Sequence, residues 1–280
     1  MKLLSQIKKD LEFNQALFNL IEVIKEISLS QYHVLEKQKR EFGDLFDCLK
    51  NIFTMISLSE IKHPLLDIQG QQAGVIAVTT DTGLVGGLNL SVINLALKEV
   101  EENKAKLIII GEKGKFYAQD AQVSFVAFAG IKDDECLKQA LELRDYIIKE
   151  ELELRLGQLK IIYPYPISIV AQRVETLQLL PFVLTEFKTK EAFSYKELIL
   201  ESSLEDVLEY LIYLLLGNKL YEIFTLSRLA ELSARFMHLE ESKTKIEQLN
   251  RQLRLQYHRQ RHELIDRTMR ELFGARLVFG

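Results

Sequence analysis

The sequence predicts an α/β protein in which a doubly wound, largely parallel, Rossmann-like domain is inserted between two long terminal helices that pair as an antiparallel coiled coil. Three observations predict it. Pro64, Pro164, Pro166 and Pro181, the only prolines, lie mid-chain with most of the glycines. The breaker-free ends carry apolar residues at heptad spacing. Between them, short β-branched runs alternate with stretches of helical character. The expected division is residues 1–60 for the N-terminal helix, 70–190 for the α/β domain and 200–280 for the C-terminal helix.

Proline inside a helix removes a hydrogen bond and glycine costs roughly 1 kcal/mol relative to alanine, so the lack of proline and the scarcity of glycine leave the ends free to be continuous helix. Those ends run from Lys2 to about Ile56 and from about Leu204 to Arg276. In the first, Leu4, Ile7, Leu11, Phe18, Ile21, Tyr32 and Leu35 form a seam interrupted by Asn14, Lys25 and Ser28. In the second, Leu229, Leu232, Phe236, Leu239, Ile246, Leu253, Tyr257 and Leu264 repeat the spacing, with Lys243, Asn250 and Gln260 at the failing positions. Polar residues in a seam lower stability but fix register. Ser202 with Glu205 is the expected capping box of the second helix, Gly217 the expected bend or split, and Gly274 the expected stop. At ~1.5 Å per residue the helices span roughly 80 and 110 Å, too long for one compact core to cover.

The middle of the chain reads as strand, helix, strand, helix, strand, helix, strand. The strands are GVIAVTT at 74–80, KLIIIG at 106–111, QVSFVAF at 122–128 and QLKIIYP at 158–164; the helices are Leu88–Glu102, Glu112–Gln119 and Asp133–Glu153. ISIVAQRVETLQLLPF at 167–182 adds a further strand and the exit from the domain.

A net charge of −4 and a pI near 5.9 argue against a protein built mainly to bind nucleic acid or anionic lipid. Cys48 and Cys136 fit neither a disulfide framework nor a metal site, which points to a reducing compartment. The first twenty residues mix charges among apolar positions, so no signal-peptide core is expected. Val207–Leu216 is too short, and carries Glu209, for a membrane span of ~20 residues.

Two segments stand out as candidate sites. TTDTGLVGGLN at 79–89 follows the first strand and opens a helix, where a phosphate loop would lie. Its Gly83, Gly86 and Gly87 match neither G-x-G-x-x-G nor the Walker pattern, so Asp81, Gly83, Gly86, Gly87 and Asn89 are read as a structural turn. The stretch 251–276 carries Arg251, Arg254, Arg259, Arg261, Arg267, Arg270 and Arg276 against Glu263, Asp266 and Glu271. A solvated face is the usual explanation of such a run, but arginine in place of every lysine suits a surface that meets carboxylates or carbonyls. His258 and His262 share a helix face but lack the glutamate of H-E-x-x-H, and read as an exposed pair rather than a metal site.

This plan resembles that of the F-type ATP synthase gamma subunit over the whole chain. Thr80, Asp81, Gly83, Leu84, Gly86, Gly87, Leu88 and Asn89 match the family's glycine-rich signature, while Thr82 stands where the family has Lys or Arg and Val85 where it has Cys. Lys62-His63-Pro64, Ile110 to Gly114 and LQLLPF also resemble family segments. Near the C-terminus Tyr257, Arg259, Arg261, Ile265, Glu271, Gly274 and Ala275 match, and His262, Asp266 and Thr268 depart. The N-terminal helix differs more, having KKDLEFNQALFNLIEVIKEI for the family's basic run. The resemblance implies a non-catalytic rotor shaft without a cofactor or metal of its own, peripheral on the cytoplasmic face of an energy-transducing membrane. It implies alpha, beta and epsilon subunits and the c-ring as partners, with membrane contact only through them and none with nucleic acid. It also implies subunit contacts at Arg254, Tyr257, Arg259, Arg261, His262, Ile265, Asp266 and Glu271. The altered polar residues suggest a divergent member. The rivals are a nucleotide-binding α/β domain with dimerising arms, and a coiled coil binding nucleic acid through its arginines.

Overall fold

The structure, a computed structural model, describes residues 4–39, 72–153, 155–181 and 202–279. In chain order the elements are α1 (Leu4–Lys39), β1 (Gly74–Val78), α2 (Leu88–Asn103), β2 (Lys106–Ile110), α3 (Glu112–Asp120), β3 (Phe125–Phe128), α4 (Cys136–Leu152), β4 (Leu159–Ser168), β5 (Ala171–Leu180) and α5 (Leu204–Phe279). The expected boundaries at 60, 70, 190 and 200, the end of the first helix near Ile56, and Lys62-His63-Pro64 lie outside the described residues. Two compact units are resolved, Leu29–Arg235 and Met1–Ser28 with Phe236–Gly280, so α1 and α5 each contribute to both.

The larger unit is built on a five-stranded sheet in the order β3-β2-β1-β4-β5. β1 lies parallel to β2 and β4, β2 parallel to β3, and only the β4–β5 pair is antiparallel. Every residue of β1 is buried, as the uninterrupted run GVIAV requires of a strand covered on both faces. On one face Ile76, Val78, Ile108, Ile110 and Ile161 pack with Ala140, Leu143 and Ile147 of α4 and with Leu211 to Leu226 of α5. On the other, Val75, Ala77, Leu107, Ile109 and Ile162 meet Val92, Ile93 and Ala96 of α2 and Ala118 of α3. This is the doubly wound arrangement. The alternation along one strand sends successive side chains into two different cores. Pro164 and Pro166 fit inside β4 because its pairing with β1 ends at Ile162. Beyond that point one edge is open and a missing N–H breaks no ladder bond.

Three expectations about the C-terminal helix are corrected. Its cap is Ser203, whose Oγ accepts from the Asp206 N–H at 3.1 Å, rather than Ser202. Gly217 does not split α5, which runs unbroken through it. A Cβ there would come 3.0 Å from Leu141 Cδ2, so the glycine serves close approach of α4 and α5. Gly274 does not stop the helix, which continues to Phe279.

In the smaller unit α1 and α5 run antiparallel with Ile21, Leu239 and Ile246 buried between them. The polar seam positions find each other. Asn14 Nδ2 donates to Asn250 Oδ1 at 3.0 Å, Lys25 Nζ to Glu240 Oε2 at 2.7 Å, and Lys243 Nζ to Glu22 Oε1 at 2.7 Å. Lys25 also lies over the Phe236 ring and Lys243 over the Phe18 ring. Hydrogen bonding to Lys25 holds the Glu240 carboxyl below its usual range despite partial burial. With Asn14 opposite Asn250, the start of α1 falls opposite about residue 260, given the antiparallel register. Leu264, expected on the seam, is accordingly 54% exposed.

Two predictions follow from these contacts. Glu151, on α4, is 2% exposed and its Oε2 has no partner, whereas neighbouring Glu150 is held by Lys106 at 2.6 Å and Arg155 at 3.4 Å. Burial pushes the Glu151 carboxyl up to about 7. A raised acid pKa binds its proton more tightly in the folded state, so this group's contribution is most favourable below about pH 4.5 and is lost as pH rises towards 7. The loss is on the order of 3 kcal/mol. Glu151→Gln should leave the melting temperature near wild type at pH 4.5 and raise it at pH 8, measured by circular dichroism. In the helix pair, Asn14→Ala should destabilise by ~1–2 kcal/mol in urea unfolding because the Asn250 amide loses its partner. N14A/N250A should cost less than the sum of the single changes.

Candidate functional site

The glycine-rich turn is tied to the domain by side chains that flank its glycines. Thr79 continues β1: its Oγ1 donates to Ile110 O at 2.6 Å and accepts from Gly114 N at 2.9 Å. Gly111 makes that approach possible, since at φ +97° it lies in a region L side chains avoid and a Cβ would fall 2.4 Å from Thr79 O. Thr80 and Asn89 close the loop: Asn89 Oδ1 accepts from Thr80 N at 3.1 Å and Asn89 Nδ2 donates to Thr80 Oγ1 at 2.8 Å. Asp81 Oδ1 accepts from Glu112 N at 2.9 Å, at the start of α3. Its carboxylate lies against Gly130, where a Cβ would overlap it.

Backbone conformation in the turn is uneven. Leu84 and Gly86 have positive φ, 65° and 58°, while Gly83 and Gly87 have open space about them. Val85 and Leu88 are buried with Ala234 of α5. Asp81 thus supplies a carboxylate to the N-terminus of α3.

The sequence reading missed what the turn rests on. Thr82 Oγ1 accepts from Arg235 Nη2 at 2.5 Å and lies 3.3 Å from Glu231 Oε1. Glu231, 5% exposed, is paired with Arg235 and, at 2.7 Å, with Arg228, which reaches Asp133 at 2.8 Å. Burial disfavours the Arg228 charge, but Glu231 and Asp133 outweigh it and raise its pKa further. The i, i+3 and i, i+4 spacing of Arg228, Glu231 and Arg235 was the available signal. Nearby, burial pushes the Cys136 thiol up to about 11, which leaves it protonated and unreactive at neutral pH.

In the smaller unit, the candidate contact residues of α5 are exposed except for half-buried Tyr257. By helical spacing Arg254, Tyr257, Arg261 and Ile265 share one face, Arg259, His262 and Asp266 an adjacent one, and Glu271 a third. Arg254 also lines an open groove of about 490 Å³ with Gln15, Phe18, Asn250, Arg251 and His258. Ile265, Met269, Leu272 and Phe273 are 44%, 53%, 62% and 64% exposed. Among the described residues no group of His, Cys, Asp or Glu could hold a metal ion, and no helix is long and apolar enough to cross a membrane.

A family model described as ATP synthase matches residues 4–276. The chain belongs to the ATP synthase gamma family. It is 24% identical over 290 residues to the ATP synthase gamma chain of Exiguobacterium sp., covering 97% of each chain. It is 29% identical over 221 residues to that of Symbiobacterium thermophilum, covering 77% of this chain and 76% of the relative. Its fold is similar to a chain in the Euglena gracilis mitochondrial ATP synthase OSCP/F1/c-ring structure, with a TM-score of 0.68, 19% identity and coverage of 98% and 94%. A chain of the Tetrahymena thermophila mitochondrial ATP synthase central stalk and c-ring gives 0.61 at 15% identity, covering 80% of this chain and 99% of that one. The family role is the central stalk subunit.

At Thr82 the turn meets α5 directly, since Arg235 reaches the Thr82 hydroxyl and pairs with Glu231. Glu231→Gln should destabilise by about 3 kcal/mol, because two partly buried arginines lose their shared buried carboxylate. Arg235→Met should do the same, and T82K/R235M should recover at least half of that loss in chemical denaturation.

Proposed function

We propose that this chain is the rotor shaft of a divergent F-type ATP synthase or ATPase, with alpha and beta subunits surrounding the end of α5, and with the epsilon subunit and c-ring meeting the α/β domain. The observation that carries this reading is the bare end of α5. Leu264, Ile265, Met269, Leu272 and Phe273 are exposed on a helix that also carries five arginines between Arg254 and Arg270. An isolated helix in water does not keep so many large apolar groups exposed without a partner surface. Arg254, Arg259, Arg261 and Glu271 supply the charged contacts of that sleeve, with Tyr257, His262, Ile265 and Asp266 between them.

The work is mechanical. Bending a packed helix pair disturbs seam contacts and backbone hydrogen bonds along its length, so torque is transmitted with less compliance than a single helix allows. Three catalytic subunits around one asymmetric shaft meet different faces and are biased to different conformations, and rotation exchanges those states. Nucleotide chemistry and ion coupling, to protons or sodium, belong to the other subunits. The chain is placed by this reading on the cytoplasmic side of the membrane, held there by its partners.

Affinity-tagged chain isolated from its own host under mild conditions should bring down alpha and beta subunits. Replacing Leu264, Leu272 and Phe273 with Glu should leave its thermal unfolding within a few degrees of wild type and lower recovery of both subunits at least tenfold. Recovery of neither subunit with the unaltered chain overturns the reading.

A further inference from the structure

Where α1 meets the α/β domain, a pocket of about 270 Å³ opens between Tyr32, His33 and Glu36 of α1, Pro166 and Ile169 of the β4–β5 hairpin, and Leu229 of α5. All of these residues belong to the larger unit. The walls are held by contacts that exist without any ligand. Tyr32 and Leu229 are buried in one apolar cluster with Leu35 and Leu232, and Ile169 packs against it. Ser233 Oγ donates to the hairpin carbonyls of Ser168, at 3.0 Å, and Ile169, at 2.8 Å, which fixes the turn against α5. A site whose walls are already set loses little ordering entropy when it is filled.

The polar equipment of the pocket is one-sided. No lysine or arginine lines it. Among the described residues the Glu36 carboxylate has one basic neighbour within 4 Å, His33 Nδ1 at 3.7 Å, which is beyond hydrogen-bond reach. The Glu36 charge is nevertheless felt in the wall: burial first, and that carboxylate second, push the Tyr32 phenol up, so it stays a neutral hydroxyl with an oxygen that can accept. Pro166, Ile169 and Leu229 supply the rest of the lining and carry no charge.

This chemistry selects among ligands. An anion would meet Glu36 with no cation to offset it. A divalent metal ion needs several oxygen ligands and would find one carboxylate, and among the described residues no group of His, Cys, Asp or Glu could hold one. A wholly apolar molecule would take Glu36 out of water without giving it a partner. A long polyamine brings more ammonium groups than the pocket has carboxylates. One ammonium group on one apolar body fits each constraint. The volume lies just under the ~300 Å³ of the smallest drug-sized sites, so that body is about a single ring.

We infer that this pocket binds a small organic monocation, a primary amine on a single-ring body, with the ammonium donating to Glu36 and the Tyr32 oxygen and the body seated against Pro166, Ile169 and Leu229. An occupant touches α1, the hairpin and α5 together, and so stabilises the place where α1 joins the domain. The site does not depend on the rotor reading.

The test titrates phenethylammonium into the full-length chain with isotopically labelled isoleucine methyls and follows them by NMR. The methyls of Ile167 and Ile169 should shift saturably, with a Kd on the order of 1 mM for a ligand of this size, while Ile246 in the helix pair stays in place. Glu36→Gln should weaken binding at least tenfold and Tyr32→Phe two- to fivefold. Without probe, both variants should melt within a few degrees of wild type, because Glu36 is half exposed and Tyr32→Phe keeps the packed ring. Hydrocinnamate, the same body with a negative charge, should give no shift at about 10 mM, and ethylammonium should bind at least tenfold more weakly than the probe. Unshifted Ile167 and Ile169 methyls, binding of hydrocinnamate as tight as that of the probe, or wild-type affinity in the Glu36→Gln chain overturns the inference. These readouts come from the chain alone, so they stand or fall separately from recovery of alpha and beta subunits.

Discussion

Everything in this structure depends on α5 being one uninterrupted helix of 76 residues whose surroundings change along its length. Its first part, from Leu211 to Leu226, closes one face of the sheet. The next turns, from Arg228 to Arg235, carry the ion pairs that hold the glycine-rich turn. Beyond Phe236 it pairs with α1, and its end is bare. The sequence keeps proline out of the helix, and Gly217 stands where α4 presses against it. The helix is amphipathic only locally, because successive stretches face different neighbours.

This explains which parts of the fold were legible. Strands buried on both faces announce themselves as β-branched runs, and β1, β2 and β4 were readable from GVIAV, KLIII and LKIIYP. The seams were readable as spacings. What spacing could not give was the identity of the partners: Lys25 and Lys243 looked like failures of a seam, yet each finds a glutamate on the opposite helix and lies over a phenylalanine ring. The Asn14–Asn250 bond likewise needs the register before it can be seen. Once register is known, such pairs explain themselves, since each costs least in the alignment observed. Of the local helix signals that misled, Ser202 was off by one residue and Gly217 serves the approach of α4, while nothing in the structure explains why α5 continues through Gly274.

The turn shows the same limit from another side. Its glycines drew attention as motif letters, but Thr79, Thr80, Asp81 and Asn89 make the bonds that fix it, and Glu231, which joins it to α5, is about 150 positions away in sequence. A motif written as consecutive letters cannot include a carboxylate that arrives from another helix. The meeting of Thr82 and Arg235 at Glu231 is invisible until the fold brings them together.

On the proposed function, the chemistry of the α5 end has a further logic. A shaft that turned inside three equivalent subunits while presenting the same face to each could not set them to different states. Arg254, Arg261 and Ile265 on one face, Arg259, His262 and Asp266 on the next, and Glu271 on a third make the helix chemically different in each direction. Deep, specific ion pairs to any one subunit would hold the rotor in place, since removing a buried charge from its partner costs several kcal/mol. Exposed arginines interspersed with leucine, methionine and phenylalanine avoid that trap: solvated charges contribute little per contact, and apolar contact is non-directional. An asymmetric surface of individually weak contacts is what a bearing needs in order to bias three sites unequally and still turn.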